Sequence, residues 1–365
     1  MSTPDTSADS TSTPRLRASL ETFPPYVPGK APKEIDGLTP FKLSSNENYL
    51  EPLPAVVAAM VADAKNPALY PDDAALALRT ELADRLGVSL DELIVTTGAS
   101  ELLVALTQIT SDASTEAIYP WPSFEMYPQT TGLAGSKRVE VPVRDDGRHD
   151  LDAMAAAITD KTSLIILCSP NNPTGPALRD EEVRRFLDHV PATVLVALDE
   201  AYWEFATADG VVDGVALVAD YPNVVLVRTF SKAHALAGLR VGYALAHASV
   251  IQGLFKAVIP FGVTDVSQTA ALESLRHSDE VGIRAKEIAA VRDDFAEALH
   301  YRSCGLVSLT SRRTWRSLPN GSMMVLWSGL THGSSDTPLS GVVLFTTCRL
   351  ARLTVISAAQ QAVMS

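Results

Sequence analysis

Between Asn46 and Ala271, short apolar runs alternate with helix-like segments, and this alternation decides the architecture. "DELIVTTGASELLVALTQIT" (Asp91 to Thr110) reads as a strand, a turn at Gly98 and an apolar helix. "EAIYP" and "SLIILCSP" are short apolar strands that stop at prolines. "RDEEVRRFLDHV" is an amphipathic helix, and the strands "ATVLVALDEAY" and "NVVLVRTFSK" follow it. "PLPAVVAAMVADA" (Pro52 to Ala64) has helical character and opens after a pair of prolines. Strands that alternate with helices predict an α/β fold: a mostly parallel central sheet with helices on both faces. Ligands of such sheets sit at the carboxyl ends of the strands. Gly98, Asn172, Asp199 and Lys232 each follow a strand.

Bulk properties narrow the function. A chain of 365 residues is long enough for about two domains. It is 46% hydrophobic and 20% charged, as a protein with a sizeable core is. A net charge of −13 speaks against broad binding to nucleic acid or to an anionic membrane. No apolar run approaches the ~18 residues of a membrane helix. "MSTPDTSADSTSTP" is polar and lacks the apolar stretch of a signal peptide, so residues 1–22 are expected to be a disordered tail. Three cysteines, without CxxC or HExxH, imply no metal and a reducing cytoplasm.

Taken singly, the polar residues at the strand ends have ordinary explanations. "CSPNNPTG" (Cys168 to Gly175) is built of turn residues. Asp199 in "LDEAYWEF" is placed to cap a following helix. A lone lysine such as Lys232 in "TFSK" is usually a surface charge, Phe124 an ordinary core residue, and Tyr70 a tyrosine at a helix entry. The joint order is more specific. Asn172, Asp199, Tyr202, Lys232 and Arg240 succeed one another, spread over successive strand ends.

Together with "SNEN", "YPDDAALALR", "TTGASELL" and "TFSKAHALAGLRVGYA", this pattern resembles the class I/II aminotransferases, fold-type I enzymes dependent on pyridoxal 5′-phosphate. The resemblance runs from about Leu43 to Leu275. It is strongest to the histidinol-phosphate aminotransferase group. "WPSFEMYP", "HDLDAMAAAITD" and "IPFGVTDVSQTAA" are similar to its actinobacterial aromatic (phenylalanine) aminotransferase branch.

That resemblance gives each residue type a reason. Lys232 forms a Schiff base with the cofactor aldehyde, which requires a neutral amine. Free lysine has a pKa near ~10.4, and burial beside cationic Arg240 lowers it. Lys232 later shuttles a proton to and from the substrate. Asp199 keeps the cofactor ring nitrogen protonated. Asn172 and Tyr202 donate to its phenolic oxygen, and Phe124 stacks on its ring. The phosphate is held by Arg240, by the hydroxyls of Ser231 and Thr229, and by Gly98, Ala99 and Ser100 where a helix opens. The small residues Ala233, Ala235, Ala237 and Gly238 are expected to let backbone and ring approach. Tyr70 reaches across a two-fold axis to the neighbouring subunit's cofactor, so a homodimer is implied. The implied reaction is transamination of an aromatic L-amino acid (phenylalanine, tyrosine or tryptophan) with 2-oxoglutarate. The alternative within the group is histidinol phosphate as donor. A nicotinamide-dependent oxidoreductase is disfavoured, because no GxGxxG follows the first strand.

The expected organisation is an N-terminal arm at 23–45, a large cofactor-binding domain at 46–271, and a small α+β domain at 272–365. Residues 301–365 are atypical. They hold no Glu, no Lys and a single Asp, yet six arginines, for a net charge of +5; the preceding 300 residues carry −18. The family's "SQANF"-like strand and the "GVRVT"-like segment, whose arginine clamps the substrate carboxylate, do not appear after Leu299. Arg349 has the wrong surroundings and receives no role. Tyr49 stands where the family's "NENP" has proline. One hypothesis accounts for the break: a shift of reading frame near residues 300–305. Its functional corollary is a third reading, a cofactor-binding protein crippled in catalysis.

Overall fold

In a computed structural model, the structure describes residues 16–23, 25–26, 45–64, 67–302, 316–317 and 323–324. The ordered elements begin with α1 (Pro54–Asp63) and α2 (Leu76–Leu86), then β1 (Leu93–Thr96) and α3 (Ala99–Thr110). Next come β2 (Glu116–Trp121), α4 (Met126–Ala134), β3 (Lys137–Pro142), α5 (Leu151–Ala156) and β4 (Thr162–Cys168). They continue with α6 (Asp180–Leu187), β5 (Leu195–Asp199), α7 (Gly214–Asp220), β6 (Val224–Thr229) and β7 (Gly242–Ala246). Three helices follow: α8 (Ala248–Leu254), α9 (Asp265–Arg276) and α10 (Ser278–Arg302). A two-stranded ladder pairs Arg316–Ser317 with Met323–Met324.

Strands β1 to β7 form one sheet in the order β1-β7-β6-β5-β4-β2-β3. The pairs β2/β3, β2/β4, β4/β5 and β5/β6 are parallel. Strand β7 runs antiparallel to both β1 and β6, so the sheet is mixed with a single reversed strand. The sequence reading did not identify β7. Its residues, "GYALA", follow β6 after 12 residues (230–241) that contain a short 3₁₀ turn at Ala237–Leu239 and no α-helix. An antiparallel return is what a connection without a crossover helix permits.

Alternate residues of the strands serve opposite layers, as the two-residue period requires. Ile165, Leu167, Val196, Leu198, Val224 and Leu226 join one buried cluster, which includes Leu78 and Leu82 of α2 and Val183 and Phe186 of α6. Leu164, Ile166, Ala197, Val225 and Val227 join the other, with Leu102 and Leu106 of α3 and with Tyr127. Truncating any of the large ones to alanine costs about 2–5 kcal/mol, because the rigid sheet cannot collapse into the gap. This two-sided core fixes the register that puts the ends of β4, β5 and β6 side by side. Cys168 pairs with Asp199, and Asp199 with Val227.

Within the segment expected as a tail, Ala18–Thr22 forms a 3₁₀ helix. The Arg17 guanidinium donates to the Ala134 carbonyl, and that of Arg138 to the Thr22 carbonyl. The domain boundary expected at residue 271 falls inside α9. Most of the arm at 23–45 and most of the atypical segment at 301–365, Arg349 included, lie outside the described residues. Among the described residues, no helix is long and apolar enough to cross a membrane.

Candidate active site

Lys232 follows β6, and its side chain is turned inward. Nζ donates to the carbonyls of Ser45 and Asn46, each at 3.2 Å, and sits 5.4 Å from the centre of the Tyr202 ring. Burial, with help from nearby Arg240, pulls the amine down to about 8, against the weaker opposite pull of Glu47 and Asp199. At pH 7 such a lysine is roughly 10% free base, a few-hundred-fold more than an ordinary one.

Asp199 ends β5 and is 3% exposed. Its carboxylate accepts from the Tyr127 hydroxyl at 2.9 Å and from the Ala201 amide at 3.1 Å. Burial pushes its pKa up; Tyr127, Ala201 and the Lys232 charge pull the other way. No described cation lies within ion-pair distance of it. Tyr202 is buried, and its hydroxyl accepts from Asn46 Nδ2 at 3.2 Å.

Arg240 takes a left-handed backbone (φ 53°), which aims its guanidinium back at the start of α3. Nη1 donates to Ser231 Oγ at 3.3 Å and to the Ala237 carbonyl at 3.0 Å. It makes no ion pair with a described carboxylate. The guanidinium lies against Gly98, where a Cβ would come within 2.7 Å of Nη2. Thr229 and Ser231 are joined by a 3.0 Å hydroxyl contact under that guanidinium. Thus Gly98, Ser231 and Arg240 converge, with the first amides of α3 beside them.

A Cβ on Gly238 would meet no described protein atom within 4 Å. Gly242 is a point of close backbone approach: a Cβ there would stand 2.6 Å from the Ala99 amide nitrogen and 2.8 Å from the Gly98 carbonyl carbon. It lets β7 run against the opening turn of α3.

Asn172 is half-buried in the loop after β4. Phe124 lies edge-on to Tyr127, with centroids 5.8 Å apart. Tyr70 stands outside this cluster, 81% exposed, with its ring 4.8 Å from that of Phe261. Three contributors escaped the sequence reading. Asn46 caps the Tyr202 hydroxyl, and Asn48 Nδ2 anchors the carbonyl of Lys232 at 3.0 Å. Tyr127 orients Asp199. The first two lie in the quoted "SNEN" and the third in "WPSFEMYP", so the signal was present but carried no spacing rule.

The donor set fits pyridoxal 5′-phosphate. One depressed amine lies within electrostatic reach of an arginine and a buried aspartate that have no ion-pair partner among the described residues. A buried carboxylate without a counter-charge is expensive. A ligand with a cationic ring nitrogen, an anionic phosphate and an aldehyde answers all three at once.

The model of the family "Aminotransferase class I and II" matches residues 39–353. The match therefore continues well past Leu275, where the motif resemblance stops. The chain is 47% identical over 309 residues to an aromatic amino acid aminotransferase of Streptomyces coelicolor, covering 85% of this chain and 86% of that protein. To the protein of the same name from Rhodococcus jostii it is 49% identical over 287 residues, 79% of this chain and 78% of the relative. Among solved structures, a histidinol-phosphate aminotransferase from Sinorhizobium meliloti in complex with pyridoxal-5′-phosphate superposes with a TM-score of 0.65. It is 31% identical, over 68% of each chain.

Proposed function

Because this chain belongs to the class I and II aminotransferases, we propose that it transfers the amino group of an aromatic L-amino acid to a 2-oxo acid, with 2-oxoglutarate as acceptor. Pyridoxal 5′-phosphate is the cofactor of this reading, and it supplies the electron-accepting ring when bound. The observation that carries the chemistry is the inward-turned Lys232 amine, hydrogen-bonded to the Ser45 and Asn46 carbonyls and pulled down to about 8 chiefly by burial and then by Arg240. The observation that carries the substrate class is the shared name of relatives 44–49% identical to this chain.

In this reading the chain's own residues divide the work. Arg240, Ser231, Thr229 and the opening amides of α3 (Ala99, Ser100) bind the phosphate, with Gly98 giving the close approach beside them. Asp199, oriented by Tyr127, holds a proton on the ring nitrogen. Asn172 and Tyr202 donate to the phenolic oxygen, and Phe124 covers one ring face. Lys232 carries the proton removed from the substrate Cα, and its low pKa suits that task near neutral pH. Tyr70, exposed on one chain, reaches a second copy's site in a homodimer.

A second reading, histidinol phosphate as donor, is supported by the name of the Sinorhizobium meliloti structure. Turnover of phenylalanine and of histidinol phosphate, each with 2-oxoglutarate, separates the two. A kcat/KM for phenylalanine at least 10-fold above that for histidinol phosphate is expected, roughly the discrimination of a pocket contact. The opposite ratio would reverse the assignment. Absence of turnover with both donors, in a protein that still binds the cofactor, would favour the crippled variant.

A further inference from the structure

Away from Lys232, the loop between β3 and α5 and the exposed face of α6 enclose a cavity of about 450 Å³, within the range of small-molecule sites. On one side it is lined by Leu151, Leu178 and Phe186, which belong to the core. On the other side it meets His149, Arg148 and Arg185.

His149 is 3% exposed, and neither ring nitrogen has a hydrogen-bond partner among the described residues. Buried polar groups are seldom left so. Burial pulls this imidazole down to about 4, so it presents a neutral donor and acceptor. Neighbouring Asn171 works weakly against that burial, but its Nδ2 is spent on the Pro122 carbonyl and Thr174 Oγ1, and no hydrogen bond of good geometry joins it to the imidazole.

The charges around the cavity largely cancel in pairs. Arg144 holds Asp150 and Asp152 at 3.2 and 3.1 Å. Arg148 stands 3.5 Å from Asp146 and 3.8 Å from Glu182. Arg185 is the exception: its guanidinium has no ion pair among the described residues. One unspent positive charge, one unsatisfied buried imidazole and an apolar wall remain. A phosphate dianion would use neither the wall nor the balance, and would face the carboxylates of Asp152 and Glu182. A singly charged acid with an apolar body uses all three features.

We propose that this cavity is a second binding site, for a small carboxylic acid with an apolar body, whose carboxylate pairs with Arg185 and hydrogen-bonds to His149 while the body lies on Leu151, Leu178 and Phe186. The site is built from residues that take no part in the proposed transamination.

The test is calorimetric titration of the holoenzyme with 3-phenylpropionate, which has the carboxylate and the apolar body but no amino or oxo group. The wild-type protein is expected to bind one molecule per chain more than Arg185→Ala does. His149→Leu should weaken the same site roughly tenfold, the loss of one charge-assisted hydrogen bond. Arg185 is exposed, so its alanine variant keeps the fold and its turnover. Identical isotherms for wild type and Arg185→Ala would overturn the proposal. So would Arg185-dependent binding of inorganic phosphate in a protein that ignores 3-phenylpropionate at this site. Because the readout is binding that depends on Arg185, a failed transamination assay leaves it intact.

Discussion

Gly98→Ala probes the link between backbone geometry and cofactor affinity. Gly98 has φ 86° and ψ 167°, a region open almost only to glycine. Forcing alanine there costs about 1–3 kcal/mol of folding free energy. The new Cβ would also sit 2.7 Å from Arg240 Nη2. That nitrogen belongs to a side chain and can retreat, but its retreat removes a fork proposed to hold the phosphate. A charge-assisted hydrogen bond is worth about 1.5–3 kcal/mol, so the cofactor dissociation constant should weaken roughly 10- to 150-fold. The assay is titration of cofactor-free protein with pyridoxal phosphate, beside urea denaturation of the same samples. Gly238→Ala is the control. Nothing lies within 4 Å of its added carbon, and its effect should stay within about 0.5 kcal/mol. If Gly98→Ala lost stability but bound cofactor as tightly as wild type, Arg240 would not be the phosphate ligand. If it lost neither, the tight approach at Gly98 would itself be wrong.

Tyr127→Phe removes one of the two donors to the Asp199 carboxylate. The carboxyl pKa should rise, and the acid limb of kcat/KM should move to higher pH with it, with the fold intact; an unmoved limb would free Tyr127 of this role. Stability of the cofactor-free protein should climb between about pH 8 and pH 10, because there the unfolded chain still protonates Lys232 while the folded one does not. Lys232→Met should flatten that climb relative to wild type, and parallel profiles would contradict the depressed amine. In the coding DNA, a one-base insertion or deletion near codons 300–305 should restore a family-like ending. If none does, the frame-shift explanation of residues 301–365 fails.

The strands that bury both faces were legible, because runs such as "SLIILC" and "NVVLV" have one interpretation in an α/β chain. Strand β7 was not: "GYALA" follows so soon after "TFSKAHALAGLR" that the motif masked the return of the chain. Lys232, Asp199 and Arg240 were picked out as a set by the order of motifs that carries the family resemblance, since each taken singly has an ordinary explanation. Asn46, Asn48 and Tyr127 were not, since each acts through a hydrogen bond to a residue from 72 to 184 positions distant, and sequence spacing holds no record of such contacts. The close approach of chain segments at Gly98 and Gly242 was hidden for a related reason. The buried pair Arg228–Glu200, joined at 2.8 Å beneath Trp203, was hidden in the same way.

Reduction of the holoenzyme with borohydride, followed by peptide mass spectrometry, reaches the core of the account. A pyridoxyl group on the peptide that contains residue 232, and on no other lysine, is the predicted result. A label carried by a different side chain, or an unlabelled protein that nonetheless turns over, would contradict it.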